Sequence, residues 1–244
     1  MKPLGNPVAK TLIYRHPLPV RVTHWLNAAC VLALLMSGLQ ILNAHPALYW
    51  GIASTFETPL LRLAAPGQAA FPSWAVLPPW QDLAAGRRWH FFFAWVFVVN
   101  GCAYVVYTLA SGRLRRVLMP AREQLSNIGG TFRDHLRLRF PRGEEARHYN
   151  VFQKLSYLVV LFGVLPLMLI TGLAMSPGMD ARFHWLTEML GGRQSARTLH
   201  FFTASALLLF IGVHLSAVLA SGPVNELRSM LTGWFAIDSR RDSR

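Results

Sequence analysis

The chain has 244 residues, of which 53% are hydrophobic and 14% are charged, and its polar residues cluster between long apolar runs. This composition excludes an ordinary soluble domain and is typical of an integral membrane protein. The net charge of +13 would suggest nucleic-acid binding in a soluble chain, but basic loops beside membrane helices produce the same charge, so we expect no nucleic-acid partner.

Four apolar runs are each close to the ~20 residues that a helix needs to cross a bilayer core, and they cover about 20–42, 88–111, 152–175 and 197–220. They predict an all-α membrane protein, a bundle of four transmembrane helices within residues 1–222, followed by a tail at 223–244. A cleavable signal peptide is the competing interpretation of the first run. The run is too long for one and lacks a small-residue cleavage site, so we expect it to stay attached.

The distribution of basic residues predicts the topology. Eighteen of the 24 Lys and Arg residues lie before the first span, in or beside the loop 113–147, and after the fourth span. The positive-inside rule then places both termini and this loop in the cytoplasm, and the chain becomes a multi-pass protein of a bacterial inner membrane. Membrane lipid is therefore its first expected partner.

A loop rich in Pro and Trp at 43–87 joins the first two spans on the predicted periplasmic side. Two interpretations are open. Aromatic residues favour the lipid–water interface, so the loop could lie on the outer membrane surface. Loops of this length are uncommon without a function, so it could instead be the docking surface of a periplasmic protein.

Four histidines occupy the spans at two predicted depths. His24 begins the first span at the inner side, and His90 begins the second at the outer side. In the fourth span, His200 is outer and His214 is inner, separated by about 21 Å on nearly the same helix face. Depth allows His90 to meet His200 and His24 to meet His214, and it excludes the crossed pairs. Each histidine alone could be a helix–helix hydrogen-bonding residue, but four at matched depths indicate two bis-histidine sites.

Two imidazoles at each depth suit haem b better than zinc. Zinc takes three or four protein ligands, whereas haem iron needs two axial nitrogens and its apolar ring suits a bundle interior. Arg21 and Arg197 each lie three residues before a histidine, on the same helix face, where a guanidinium could bind a haem propionate. Cys30 and Cys102 form no Cys-x-x-Cys-His motif, which excludes c-type haem attachment. Several glycines could let a macrocycle approach the backbone: Gly38, Gly101, Gly163, Gly172 and Gly212.

The histidine layout over about residues 15–220 resembles the bacterial cytochrome b561 family, which includes the b-type cytochrome of nickel–iron hydrogenases and the gamma subunit of formate dehydrogenase. The resemblance implies a four-helix core with two haem b groups. His24 and His214 would be the axial ligands on the cytoplasmic side, and His90 and His200 those on the periplasmic side. Members with this pattern look like partners of periplasmic molybdopterin oxidoreductases of the sulfite-oxidase type.

The inner end of the third span contains Asn150, Gln153 and Lys154. By themselves these residues indicate the capped start of a helix, with Asn150 as the N-cap and Lys154 reaching the lipid headgroups. In the resembling gamma subunits, an Asn at this position lies in the quinone site beside the inner haem. The resemblance therefore implies a quinone pocket near Asn150, Gln153 and His214.

Two functions follow. The first is transmembrane electron transfer between the quinone pool and a periplasmic molybdopterin or hydrogenase-type oxidoreductase subunit, because two protein ligands on each iron favour electron transfer over oxygen chemistry. The second is a self-sufficient superoxide:quinone oxidoreductase, in which Arg87, Arg88 and Arg197 attract superoxide. The long outer loop favours the first function. Whether the chain is an enzyme by itself stays open.

Overall fold

A computed structural model of the chain describes residues 9–126, 129–130 and 150–239, and most of these residues are helical. Most of the basic loop 113–147, predicted to be cytoplasmic, lies outside the described residues. The described α-helices and strands in chain order are β1 (Ala9–Tyr14), α1 (Leu18–Ala44), β2 (Ala47–Leu48), β3 (Leu61–Arg62), α2 (Leu83–Ala110), α3 (Arg122–Ser126), α4 (Val151–Met175), α5 (Pro177–Asp180), α6 (His184–Met189), α7 (Arg193–Ser221), α8 (Pro223–Thr232) and β4 (Trp234–Ser239). A 3-10 turn at Ser73–Ala75 precedes α2, and a π-helical turn at Leu114–Leu118 follows it.

The four predicted spans are confirmed as helices long and apolar enough to cross a membrane: α1, α2, α4 and α7. Helices α2 and α7 begin five and four residues before their apolar runs, because polar groups cap their first turns. The Asp82 carboxylate accepts a hydrogen bond from the Ala85 amide at 2.8 Å and caps α2. At the start of α7, the Gly51 carbonyl accepts the amide protons of Gln194 and Ser195.

The third span, α4, contains a π-helical turn at Val160–Val164. Pro166 follows within the same helix, and a proline ring has no amide proton and crowds the preceding turn. A widened turn before the proline relieves this crowding without ending the helix. The span therefore stays continuous to Met175.

Two compact units make up the chain. The unit named here the central unit comprises Thr23–Ala103 and Val160–Phe210, and the terminal unit comprises Met1–Val22, Tyr104–Val159 and Ile211–Arg244. Each of the four long helices contributes residues to both units, with the larger part in the central unit. The geometry below is given within each unit.

In the terminal unit, the residues predicted as a tail form α8 and the strand β4. Strand β4 pairs antiparallel with β1, so that Tyr14 lies opposite Trp234. Phe235 and Ile237 alternate inward and are buried, which explains why this short sheet forms. Gly233 ends α8 with φ of 90°, and a side chain there would strike Tyr14. The two small sheets, β1–β4 and β2–β3, correct the all-α prediction to a mostly helical fold.

In the central unit, polar side chains near the end of α1 organise the predicted outer loop. Asn43 exchanges two hydrogen bonds with the backbone of Phe71, at 2.8 and 3.1 Å. The Gln40 amide donates to the Trp80 carbonyl at 2.7 Å. These bonds satisfy backbone groups that have no regular partner in an irregular loop, so the loop is held against α1.

Candidate functional site

The structure brings His90 of α2 and His200 of α7 together in the central unit. Their ring centroids lie 6.3 Å apart, with an angle of 64° between the ring planes. Both side chains are half-buried. The two histidines predicted for the outer depth are therefore neighbours.

A hydroxyl group contacts each of these rings. Ser37 Oγ lies 3.1 Å from His90 Nδ1, and Thr171 Oγ1 lies 2.9 Å from His200 Nδ1. Both hydroxyl residues are fully buried. Since each Nδ1 is engaged in this way, Nε2 is the ring nitrogen left for another ligand.

A glycine follows each hydroxyl residue and faces the same ring. A Cβ built on Gly38 would lie 3.5 Å from His90 Cε1, and one built on Gly172 would lie 3.4 Å from His200 Cε1. Side chains larger than a methyl group at either position would collide with the imidazole. Among the five glycines noted in the sequence, Gly101, Gly163 and Gly212 have nothing within 4 Å of such a Cβ, so only two approach a histidine.

The outer loop is fastened to α7 directly before His200. The Arg197 guanidinium donates to the carbonyl oxygens of His45 and Ala47, the second bond being 3.0 Å long. The Thr198 hydroxyl donates to the Tyr49 carbonyl at 2.6 Å, and the Thr198 side chain is fully buried. Arg197, predicted to meet a propionate, thus holds the loop with at least two of its five N–H groups.

The short helices α5 and α6 lie between the third and fourth spans in sequence, and Asp180 links them. Its carboxylate accepts hydrogen bonds from the Thr187 hydroxyl at 2.6 Å and from the His184 ring at 3.1 Å. These bonds hold the pKa of the Asp180 carboxyl below its ordinary value, and the bond from the Thr187 hydroxyl has the larger effect.

In the terminal unit, Asn150 and Gln153 form a reciprocal cap at the start of α4. The Gln153 amide donates to Asn150 Oδ1 at 2.9 Å, and the Asn150 amide donates to Gln153 Oε1 at 3.1 Å. The predicted N-cap is therefore present. The prediction that Lys154 reaches the lipid headgroups is wrong. Lys154 is 8% exposed, and its Nζ donates to Gln124 Oε1 at 2.9 Å and to the Met119 carbonyl at 3.3 Å. Protein acceptors replace the headgroups because α3 lies beside α4's first turn.

The remaining predicted ligands lie in different units. His24 belongs to α1 in the central unit. Asn100 of α2 donates two hydrogen bonds to residues that flank this histidine in the sequence, to the Thr23 carbonyl at 2.8 Å and to Asn27 Oδ1 at 2.6 Å. His214 belongs to the terminal unit. Its pairing with His24 stays a prediction.

Arg21, the predicted propionate ligand beside His24, lies in the terminal unit next to Gly233. A Cβ on Gly233 would come within 2.8 Å of Arg21 Nη1, and Arg21 Nε is buried without a hydrogen-bond partner among the described residues. A buried guanidinium N–H of this kind is suited to an anionic acceptor.

Comparison with known proteins assigns the family. Residues 15–233 match the family described as prokaryotic cytochrome b561. The chain belongs to the prokaryotic cytochrome b561 family. It is also 31% identical over 211 residues, 86% of this chain and 93% of the relative, to a protein of Azospira oryzae whose name assigns it to the subunits of a protein-methionine-sulfoxide reductase, YedZ1. As a cytochrome b561, the chain is a transmembrane electron-transport protein whose family holds b-type haem.

The His90–His200 pair of this cytochrome fits a haem iron. Two metal–imidazole bonds of about 2.0–2.1 Å, with a ring radius of about 1.2 Å at each end, correspond to a centroid separation of about 6.4–6.6 Å. The observed separation of 6.3 Å is close to this range. No group of three or more His, Cys, Asp or Glu side chains in the described part of the chain could hold a metal ion, so the donor set suits an axially ligated haem rather than zinc.

Sequence reasoning missed Ser37 and Thr171 of this cytochrome. A signal for them was present, because the first and third spans contain the similar tripeptides Ser37-Gly38-Leu39 and Thr171-Gly172-Leu173. A hydroxyl beside a glycine in two different spans would have indicated a close approach with a polar partner.

Proposed function

We propose that this cytochrome b561 is the membrane subunit of an oxidoreductase and carries electrons across the membrane through two bis-histidine b haems. The observation that carries the proposal is the His90–His200 pair, whose 6.3 Å ring separation suits one shared iron. Bound haem b would supply a one-electron carrier at each depth, and two protein ligands on an iron favour electron transfer.

The protein's own residues have separate tasks at the outer site. His90 of α2 and His200 of α7 would hold the iron. Gly38 and Gly172 allow these rings to lie against the backbone of α1 and α4. Arg197 holds the loop at the outer end of α7, and its remaining N–H groups are the ones available to a propionate.

The inner site is proposed on the sequence depths, with His24 and His214 as ligands and Arg21 toward a propionate. A quinone would bind near Asn150, Gln153 and His214. A quinone carbonyl accepts hydrogen bonds, and the cap at Asn150 and Gln153 uses their side-chain oxygens as acceptors. The side-chain amide nitrogens of Asn150 and Gln153 are the groups of matching chemistry, because they are hydrogen-bond donors.

We propose the orientation that the basic residues indicate, in a bacterial inner membrane with both termini cytoplasmic. The partner then docks on the outer loop. Trp50 and Ile52 are 59% and 84% exposed, and they flank Gly51, whose amide donates to Ser195 Oγ at 2.8 Å, five residues before His200. An apolar surface so close to a haem ligand would bring a docked redox protein near the outer iron.

The named relative and the resemblance suggest the chemistry of the partner. The relative of Azospira oryzae is named as a subunit of a protein-methionine-sulfoxide reductase. We propose that this chain likewise serves a periplasmic reductase, of the molybdopterin type that the resemblance implies, and that electrons run from quinol at the inner site to this reductase. A reductase consumes electrons, which fixes this direction.

A reconstitution experiment tests this proposal. The purified chain is placed in vesicles containing a reduced quinone. A molybdopterin-type protein-methionine-sulfoxide reductase, the catalytic subunit of this test, is added outside with oxidised methionine in a protein substrate. We expect quinol to reduce the haems of the chain alone, and sulfoxide to be consumed only when both proteins are present. Replacement of His200 by Ala should stop this transfer.

A different result would favour the self-sufficient superoxide:quinone oxidoreductase. In that case the chain alone would be reduced rapidly by pulse-generated superoxide, at a rate that falls as salt screens Arg87 and Arg88. Arg197 contributes less to such an arginine surface than the sequence suggested, because loop carbonyls occupy part of its guanidinium. Rapid superoxide-driven reduction, together with no transfer to the catalytic subunit, would overturn the proposal.

A further inference from the structure

We infer that Ser37 and Thr171 are positioning residues that fix the proton of each outer histidine on Nδ1 and thereby set how tightly, and at what potential, the outer site holds haem. This inference rests on the proposed function, because it takes His90 and His200 as the ligands of one iron. It concerns residues that touch the ligands rather than the iron.

The Ser37 hydroxyl donates its one proton to a backbone carbonyl. Ser37 Oγ donates to the Ala33 carbonyl in the same helix at 2.6 Å, with a longer approach of 3.2 Å to the Leu34 carbonyl. A serine hydroxyl has one proton and two lone pairs, so the oxygen can only accept from His90 Nδ1 at 3.1 Å. The proton of His90 is therefore on Nδ1, and Nε2 presents a lone pair.

Thr171 repeats this arrangement in another helix. Its Oγ1 donates to the Leu167 carbonyl at 2.7 Å and lies 2.9 Å from His200 Nδ1. The same proton count makes His200 Nδ1 the donor and leaves its Nε2 as the lone-pair nitrogen. Helices α1 and α4 thus make the same hydroxyl–histidine contact. The two histidines that they contact, His90 and His200, together present two Nε2 lone pairs for one metal.

A purely structural role for these hydroxyls is the competing explanation, because serines and threonines in membrane helices often bond to their own backbone. Thr203 and Ser205 of α7 do so, through the carbonyls of Leu199 and Phe201. Ser37 and Thr171 differ from them by the second contact, to an imidazole. They are also fully buried, which keeps water from these contacts. A backbone carbonyl lies beside each ring as a second acceptor, that of Leu34 for His90 and that of Met168 for His200.

The chemical consequence is a tuned ligand. A histidine that donates Nδ1–H to an acceptor has a fixed ring orientation and a more electron-rich Nε2, and loss of such a partner typically weakens metal binding about 10–100-fold. A more electron-rich nitrogen favours the oxidised iron. Removal of the hydroxyl should therefore weaken haem retention and raise the reduction potential of the outer haem.

Matched substitutions test this inference. Thr171→Val removes the acceptor and keeps the shape of the side chain, and Thr171→Ser restores the hydroxyl. Thr203→Val is the control, because it removes a buried hydroxyl of the same kind that contacts no histidine ring in the described structure. Ser37→Ala examines the second histidine in the same way.

Two readouts are used. In redox titrations of the haem-loaded protein, Thr171→Val should raise the potential of one haem and leave the other unchanged, and a tenfold change in the preference for oxidised over reduced iron corresponds to about 59 mV. In nitrogen NMR of histidine-labelled protein before haem is added, His200 should carry its proton on Nδ1 in the wild type and in Thr171→Ser. In Thr171→Val the Nε2–H tautomer should increase, because only the Met168 carbonyl remains as an acceptor for Nδ1–H.

Equal potentials in Thr171→Val and wild type, or a shift of the same size in Thr203→Val, would overturn the inference. An Nε2–H tautomer in the wild type would overturn it as well. A different result would contradict the proposed function, namely the absence of electron transfer from the wild-type protein to the catalytic subunit. The NMR result does not depend on that transfer.

Discussion

Replacement of Thr198 by Val should release the outer loop from α7 without removing a haem ligand. Thr198 is fully buried, and its hydroxyl donates to the Tyr49 carbonyl at 2.6 Å. Valine has nearly the same shape but no donor, so the substitution leaves the Tyr49 carbonyl without this partner. Leaving one buried polar group unsatisfied costs about 1–3 kcal/mol.

This cost applies to local opening of the loop rather than to global unfolding, because the bond joins the loop to a helix. A loss of about 1–3 kcal/mol corresponds to an increase of about 5- to 140-fold in the population of the opened loop. Amide hydrogen exchange over residues 47–51 should accelerate by that factor in the variant. The haem content should stay unchanged, since His200 and Thr171 are untouched.

Thr203→Val provides the comparison, because its hydroxyl donates to Leu199 within α7 and not to the loop. Exchange over residues 47–51 should be the same in this control as in the wild type. Unaltered exchange in Thr198→Val would refute the reasoning, since it would mean that Arg197 and Ser195 hold the loop without this bond. Equal acceleration in both variants would also refute it, by showing a general weakening of α7.

Three further predictions concern other polar groups that are buried or half-buried. Asn100→Leu should lower the free energy of unfolding in detergent by about 0.6–1.7 kcal/mol, because it removes two hydrogen bonds between α2 and α1. Lys154→Met should cost about 1.5–3 kcal/mol locally, since a charged donor to Gln124 and Met119 is lost, and faster hydrogen exchange over residues 119–126 would show it. Burial raises the pKa of Glu226 above its ordinary 4.5, although the nearby Arg15 lowers it. The stability that this group contributes is therefore fully present below pH 4.5 and is lost as the pH rises through the raised pKa. Protection factors of the β4 amides, corrected for intrinsic exchange, should fall across that window in the wild type and stay level in Glu226→Gln.

Much of the helical framework could be predicted from the sequence because a bilayer imposes one simple requirement, about 20 apolar residues in a row. The apolar runs predict starts for α2 and α7 that lie several residues after the observed ones. The first turns of these helices are polar and are capped by Asp82 and by the Gly51 carbonyl. Such caps depend on where the preceding loop runs. A count of apolar residues does not contain that information.

The His90–His200 contact could be predicted because helix rise converts sequence position into depth. The positions of Ser37 and Thr171 against these rings could not, since depth does not say which face of a neighbouring helix meets a histidine. The same limit applies to Lys154, which finds partners on α3 rather than lipid headgroups. The β1–β4 pairing joins residues more than 200 positions apart in the sequence, and no local pattern specifies such a pair.

The haem content of the wild-type chain and of His200→Ala tests the central claim most directly. The pyridine haemochrome assay should give two b haems per wild-type chain and one in His200→Ala, with the second haem still present in redox titrations. His184→Ala is the control, because this histidine is exposed and lies outside the four spans, and it should keep two haems. One haem or none in the wild-type chain, or two in His200→Ala, would contradict the account.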